Sequence, residues 1–344
     1  MDLGTIVLGH SLSNPRTPLL NGGDDAERQM ILKMLRLQVA TPLSVLINIA
    51  VFLCCATVIH PSMSDLSTAF PTTVTPNMGM MSVIWMAIFV GQIGYCVLLI
   101  LSRMHQTKEL LVNGVGLRLV FVNWIMIIWT ILFTLKFWTP SAIVLGILFL
   151  FVLWINISLF WFPTHANHPL DTLFIHVPIR LFLLLFLLSV LPQNIFIALD
   201  WVYSPDHPER DYDTRATQGF IAVMIVHVLG LLWVLFRRDL FWTIGGVYVC
   251  LATMGKRPKP AMIYAALITF AVLYPLFWIA ATTYHRIQEQ NREGRIALPA
   301  DDLPPSEQPV APVQPEDNQP AVKDTAIAID GDEDPSAVWG QPRR

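Results

Sequence analysis

The feature that most constrains this chain is a series of apolar stretches, each about 17 to 25 residues long, between residues 42 and 284. At 1.5 Å per residue, a helix of about 20 residues crosses the roughly 30 Å hydrocarbon layer of a bilayer. Hydrophobic residues make up 54% of the chain and charged residues only 14%, whereas soluble domains are about one quarter charged. The sequence therefore predicts an all-α protein, a polytopic bundle of transmembrane helices.

The positions of the apolar stretches predict about eight membrane spans. These spans cover residues 42–60, 80–101, 117–137, 141–162, 178–202, 217–236, 239–254 and 260–284. The seventh stretch is the shortest and contains Gly245 and Gly246. Both a short tilted span and a re-entrant segment are compatible with it.

Positively charged loop residues predict the orientation of the spans. Lysine and arginine occur in residues 1–41 and in the connections after the second and the sixth spans. Loop 61–79 contains none of them, and loop 203–216 carries several acidic residues. We therefore expect both termini in the cytoplasm. Loop 255–260, with three positive charges, disagrees with this arrangement because it falls on the predicted outer side.

The two ends of the chain differ in character from the spans. Residues 1–41 contain no long apolar run, so we expect no cleavable signal peptide. Within them, residues 24–39 are amphipathic at helical spacing and predict an interfacial helix that leads into the first span. Residues 285–344 are rich in proline and acidic residues, which predicts a disordered cytoplasmic tail.

Polar and aromatic residues inside the spans follow helical faces. Trp85, Phe89, Gln92 and Cys96 share one face of the second span, and Asn123 begins a polar line on the third. Such residues commonly hold helices together through hydrogen bonds worth about 0.6 kcal/mol. Converging faces can also build an apolar cavity with a few polar anchors, in which the tryptophans stack on a ligand and the amides orient it. The candidate ligand-binding residues are Trp85, Phe89, Gln92, Asn123, Trp129 and Asn194.

Three ionisable residues within the spans form a second candidate set. Arg180 and Asp200 lie close enough to the span ends to reach water, and His227 lies in the middle of the sixth span. A polar pathway through Arg180, Asp200 and His227 would indicate a transporter of small solutes. For His227 a hydrogen bond to a neighbouring helix and a role in proton transfer are the two alternatives.

The sequence contains no motif that indicates catalysis or a bound cofactor. We find no P-loop, no nucleophile elbow and no glycine-rich dinucleotide motif. His165, His168, Asp171 and His176 are suitable metal ligands, but Pro169 interrupts the helix that would align them. We therefore expect no enzyme, metal site or cofactor, and no nucleic-acid partner. The expected partners are membrane lipids and a hydrophobic small molecule.

Three segments resemble the translocator protein / tryptophan-rich sensory protein family, also known as the peripheral benzodiazepine receptor family. The stretch TPNMGMMSVIWMAIF is similar to the start of that family's second span, FVNWIMIIWTILF to its third and HVPIRLFLLLFLLSVLPQN to its fifth. The positions that carry the resemblance are Trp85, Phe89, Asn123, Trp129, Phe133, Pro178 and Asn194. The resemblance covers residues 42–202, and the whole chain is similar to fungal multi-spanning membrane proteins that are divergent, extended relatives.

This resemblance implies a translocator-like core of five helices, residues 42–202, followed by three further spans within residues 203–284. It also implies a non-enzymatic protein that binds a flat hydrophobic ligand, such as a porphyrin or a sterol, in a cavity of the bundle. Two alternatives remain, a small-solute transporter and a membrane organiser that recruits partners through its acidic tail.

Overall fold

The computed structural model describes residues 21–102, 105–162, 169–204 and 212–293, and these residues contain helices, turns and no strand. Residues 1–20 and most of the predicted tail, residues 294–344, lie outside the described residues, and so does His165 with His168. The all-α fold predicted from the sequence is confirmed.

The helices follow one another with short connections. They are α1 (Asn21–Leu53), α2 (Met63–Ala69), α3 (Met78–Leu101), α4 (His105–Glu109), α5 (Arg118–Thr134), α6 (Trp138–Ser158), α7 (Pro169–Asp171), α8 (Val177–Leu185), α9 (Leu191–Ala198), α10 (Ala216–Arg237), α11 (Leu240–Met254) and α12 (Ala261–Glu293). Wider π-helical turns occupy Cys54–Val58, Leu110–Val115, Thr172–His176 and Phe186–Val190. Two of these turns join α7, α8 and α9 into one rod.

Each predicted span coincides with a helix. In the described residues six helices are long and apolar enough to cross a membrane, namely Arg28–Val58, Met78–Leu101, Trp138–Ser158, Pro169–Ala198, Asp213–Arg237 and Ala261–Arg292. The predicted third span corresponds to α5, which reaches that length only if the helical segment Thr107–Val115 is counted with it. The axes of these two segments differ by 49°. The predicted seventh span is the 15-residue helix α11. The chain is therefore a polytopic bundle of membrane helices.

The two ends of α11 contact different parts of the bundle. At its start, Asp239 caps the helix by accepting from Phe241 N and Trp242 N, and it pairs with Arg180 at 2.8 Å. At its other end, the Ala252 carbonyl accepts from Asn77 N, directly before α3 begins. Arg180 lies in the first part of the rod and Asn77 directly precedes α3, so α11 links two segments that are distant in the sequence.

The glycines of α11 allow this close packing. A Cβ atom on Gly245 would come within 2.9 Å of Leu184, and one on Gly246 within 3.0 Å of the Tyr274 ring. Gly245 and Gly246 therefore allow α11 to approach α8 and α12 closely.

The two ends of the described bundle are helical. The amphipathic segment 24–39 is the first part of α1 and leads directly into the first span, with Met34 and Leu37 buried. Its position at the membrane interface stays a prediction. α12 continues past residue 285 to Glu293, because the polar residues there are good helix formers and His285 pairs with Glu289 at 3.1 Å.

The centre of the bundle is the rod α7–α9. Leu184, Leu185 and Phe186 are fully buried there, with no exposed surface. Asn156 of α6 donates to the Ile179 carbonyl at 3.2 Å, close to Pro178, and so holds α6 against the rod. α3, α6, α10 and α11 pack against this rod, and the outer faces of the long helices are apolar, as a lipid-exposed surface requires.

Candidate functional site

A cavity of about 530 Å³ lies between α1, α3, α5 and the rod. Its walls are mostly apolar, and α2 lies across one end with Met63, Ser64 and Ser67. The aromatic part of the wall consists of Phe52, Trp85, Phe89, Trp129 and Phe133.

Trp85 is the centre of this aromatic wall. The centroid of its ring lies 6.5 Å from the centroid of the Trp129 ring, with an interplanar angle of 20°. The corresponding values for the Phe89 ring are 5.9 Å and 26°. Phe52 of α1 completes the group at 5.0 Å from Trp85. Near-parallel rings on one side of a cavity offer flat apolar faces to a ligand.

The cavity is open on the outer side of the bundle, between α1 and α3. Its outer lining includes Leu53, Met86 and Val90, which are 48%, 62% and 53% exposed. Its inner wall includes Trp129 and Phe133, which are 3% and 4% exposed. The opening between α1 and α3 therefore connects exposed apolar residues with the buried aromatic wall.

Two amides from the rod supply polar groups to the inner wall. Gln193 Nε2 donates to Ser67 Oγ at 2.6 Å and ties α2 to the rod. Asn194 Oδ1 accepts from Ser141 Oγ at 3.0 Å, and Trp129 Nε1 lies 3.5 Å from the same oxygen. These bonds fix the position of Asn194 next to the Trp129 ring.

Four of the six predicted ligand-binding residues line this cavity, namely Trp85, Phe89, Trp129 and Asn194. Asn123 and Gln92 are not part of the lining. Asn123 Oδ1 instead accepts from Asn48 Nδ2 at 2.8 Å, which links α5 to α1. Gln92 is buried, and its Oε1 has no hydrogen-bond partner among the described residues. A ligand-orienting role for these two amides remains a prediction.

The sequence patterns did not predict α2, which falls within the predicted loop 61–79 and lines one end of the cavity. This helix begins with a capping box in which Ser62 Oγ accepts from Asp65 N at 3.2 Å and Asp65 Oδ2 accepts from Ser62 N at 2.9 Å. Hydrogen bonding of the Asp65 carboxyl to the side chain and the backbone N of Ser62 lowers the pKa of this carboxyl. A serine followed three residues later by an acidic residue is the signal that could have revealed the helix.

The candidate polar pathway is divided among three places. Arg180 pairs with Asp239 at the start of α11, whereas Asp200 lies in the turn after α9 with a φ of 55°. His227 is buried between α10 and α12, where its Nδ1 lies 3.2 Å from the Tyr274 hydroxyl. The interhelical hydrogen bond, one of the two alternatives for His227, is therefore present.

The candidate metal ligands do not form a cluster in the part of the chain that the structure describes, where no three His, Cys, Asp or Glu side chains converge. Asp171 accepts from Thr107 Oγ1 at 2.7 Å, and His176 is buried beside Arg180.

Together, the helical bundle and its apolar cavity define a multi-pass membrane protein with a candidate apolar site. A family model described as TSPO-like protein matches residues 38–279, and the chain belongs to this family. The translocator-like relationship predicted from three segments is thus confirmed, and the match extends well beyond residue 202 into the further spans. The comparisons find no matching curated protein and no matching solved structure. The similarity to fungal proteins and the side of the membrane that each terminus faces stay predictions.

Proposed function

We propose that this protein binds a flat apolar molecule, such as a sterol or a porphyrin, in the cavity between α1 and α3. The observation that carries the proposal is the aromatic wall around Trp85 within a space of about 530 Å³. That volume lies in the range of roughly 300 to 1,000 Å³ typical of small-molecule sites.

Packing must supply most of the affinity at such a site. A ligand that leaves the lipid phase gains little from the hydrophobic effect, because lipid tails are as apolar as the cavity wall. Stacking on Trp85 and on Trp129, whose orientation is fixed by Asn194, therefore provides selectivity for flat molecules.

The lining favours binding over catalysis. Within the described residues, the cavity wall contains no histidine, cysteine, lysine, arginine or carboxylate. Its polar groups are hydroxyls and the amides of Gln193 and Asn194, which hydrogen-bond within the protein. Such groups can orient a ligand. Serine and threonine hydroxyls act as nucleophiles when an adjacent base activates them, and the described lining contains no histidine, lysine or carboxylate that would do so.

The test is equilibrium binding of two neutral ligands, tritiated cholesterol and protoporphyrin dimethyl ester, to the full-length protein in phosphatidylcholine nanodiscs. Trp85→Leu removes the central ring, and Ser82→Trp places a large side chain at the exposed mouth of the cavity. We expect saturable binding of at least one ligand, weakened about tenfold by either change, or about 1.4 kcal/mol.

Matched controls change the same residue types outside the cavity. Trp124→Leu alters a tryptophan of α5 that is 43% exposed, and Ala87→Trp adds a ring to the outer face of α3. Both controls should bind as the wild type does. Absence of saturable binding, or equal losses in test and control variants, would contradict the proposal.

The transport alternative has less support in the structure. Arg180 and His227 each have a partner at a separate place in the bundle, Asp239 and Tyr274 respectively. These two contacts do not join Arg180 and His227 into one polar route.

A further inference from the structure

A cluster of charged side chains lies where α10 ends and α11 begins. Arg180 Nη1 pairs with Asp239 Oδ2 at 2.8 Å, and the two side chains are only 11% and 1% exposed. Arg237, the last residue of α10, lies close enough to Arg180 and Asp239 to interact electrostatically with both. None of these three residues lines the apolar cavity. The cluster therefore places two guanidinium groups around one buried carboxylate, at a site separate from that cavity.

The carboxylate of this cluster is already occupied. Asp239 Oδ1 accepts from two backbone N–H groups in the first turn of α11, and Oδ2 pairs with Arg180. His176, whose Nδ1 lies 3.5 Å from Arg180 Nη2, adds no negative charge. Within the described residues Arg237 forms no hydrogen bond and no ion pair. The cluster thus has more positive than negative charge, and the donors of Arg237 remain available.

Unpaired indole donors beside the cluster are a second, independent observation. Trp233 lies one helical turn before Arg237, and its ring stacks on that of Trp242 with the centroids 5.1 Å apart. Nε1 of both indoles is buried and has no acceptor among the described residues. A buried N–H group without an acceptor is unfavourable in a native structure. This region therefore has more donors than the described residues satisfy, which favours a ligand rich in acceptors.

Arg237 stands at the end of a membrane-spanning helix, beside exposed apolar side chains. Its guanidinium carbon lies 3.9 Å from the centroid of the Phe160 ring, just after α6. This cation–π contact holds the guanidinium group while its N–H groups can still donate. Nearby on α10, Leu232 and Phe236 are 42% and 74% exposed. An anionic group at Arg237 could therefore continue into apolar chains along α10.

The orientation of the spans by positive charge does not require this arrangement. Basic side chains in water, such as the exposed Arg238, are enough to keep one end of a helix on one side of the membrane. Arg180 is instead buried beside Arg237, and like charges in a poorly solvated site repel each other. Guanidinium groups bind phosphate oxygens through paired N–H donors. A phosphate group beside both arginines would neutralise the excess charge.

We propose that the end of α10 binds the phosphate group of an anionic membrane phospholipid, with Arg237 as its main donor, Arg180 as the second cation and the acyl chains along the exposed face of α10. A soluble phosphate ion has the same acceptor chemistry, but it would leave the neighbouring apolar face of α10 without a partner. This lipid site is distinct from the ligand cavity, and neither proposal depends on the other.

The experiment measures binding of tritiated dioleoylphosphatidylglycerol to the full-length protein in dodecyl maltoside micelles by scintillation proximity. The detergent is neutral, so the general attraction of basic residues to an anionic surface is absent. Unlabelled dioleoylphosphatidylglycerol, dioleoylphosphatidylcholine and sodium phosphate serve as competitors, and sodium chloride matches the ionic strength of the phosphate. Arg237→Gln is the test variant, and Arg238→Gln removes an equal charge from the exposed neighbour. Helical circular dichroism shows whether each variant is folded.

We expect phosphatidylglycerol to compete about tenfold more strongly than phosphatidylcholine, which carries the same chains but no net charge. Arg237→Gln should weaken binding of phosphatidylglycerol about tenfold, whereas Arg238→Gln should change it by about twofold or less. Asp239→Asn keeps a residue that can cap α11 and removes the competing carboxylate. It should therefore tighten binding, a gain that misfolding cannot produce.

Three results would overturn this inference, namely equal competition by the two lipids, equal effects of the two arginine variants, and no gain of affinity in folded Asp239→Asn. Displacement by sodium phosphate beyond that by sodium chloride would also overturn it, because the ligand would then be a soluble anion. The function proposed for the cavity is tested with other ligands and would stand in each of these cases.

Discussion

Replacing Gly230 with alanine is expected to destabilise the bundle, because α10 has no space for a side chain there. A Cβ atom on Gly230 would overlap the Tyr274 hydroxyl and lie 3.3 Å from Leu188. Tyr274 has no exposed surface and its hydroxyl is bonded to His227, so the ring cannot move away freely. The ring is also bounded by Gly246 on the opposite helix.

The expected magnitude follows from three contributions. Overpacking in a well-packed interior costs about 1 to 3 kcal/mol, and a weakened buried hydrogen bond at Tyr274 adds about 0.5 to 1.5 kcal/mol. Alanine regains up to about 1 kcal/mol of helix propensity relative to glycine. The free energy of unfolding should therefore fall by about 0.5 to 3.5 kcal/mol.

The assay is reversible unfolding of the purified protein in mixed micelles, followed by helical circular dichroism. Gly146→Ala is the matched control, since a Cβ atom there meets nothing within 4 Å. This control should leave stability unchanged or raise it slightly. A second check is Tyr274→Phe, which removes the overlapped oxygen and should cost less in the Gly230→Ala background than alone. If Gly230→Ala unfolds like the wild type, or Gly146→Ala loses as much, the packing argument is wrong.

Two further predictions concern buried polar groups. Burial lowers the pKa of Lys259 to about 7, so the unfolded chain binds more protons than the folded protein from about pH 7 to about pH 10.4. Between pH 7 and 9, wild-type stability should therefore rise relative to Lys259→Met by at most about 1.4 kcal/mol per pH unit. A relative fall in thermal melts would refute this. Asn123→Leu should cost about 1 kcal/mol because it leaves Asn48 buried without its partner, whereas the double change of Asn48 and Asn123 to leucine should cost less. Equal losses in the unfolding assay would contradict that coupling.

The membrane helices could be read from the sequence because each apolar stretch is a local property. Any segment of about 20 apolar residues must satisfy its backbone as a helix to lie in hydrocarbon. The seventh stretch, residues 239–254, is too short for this rule to decide whether it spans. α11 has only 15 residues, and its path along the bundle depends on the contacts of Asp239 and Ala252 with residues distant in the sequence.

The candidate cavity was partly predictable for the same reason. Helical periodicity places Trp85 and Phe89 on one face, and both line the cavity. It does not show which neighbouring helix meets a given face. Asn123 and Trp129 are six residues apart on α5 and therefore point in different directions. In the folded bundle Asn123 accepts a hydrogen bond from Asn48 of α1, whereas the Trp129 ring packs against Trp85 of α3.

The sequence alone determined the membrane class, the long apolar helices and the family resemblance, because these follow from composition, periodicity and short motifs along the chain. The tertiary structure decided which side chains share a site. Ser67, Trp129 and Gln193 come from three distant segments and line one cavity, and no local pattern relates them. Their proximity arises from contacts between helices, such as the hydrogen bond of Gln193 to Ser67, which depend on how the whole bundle packs.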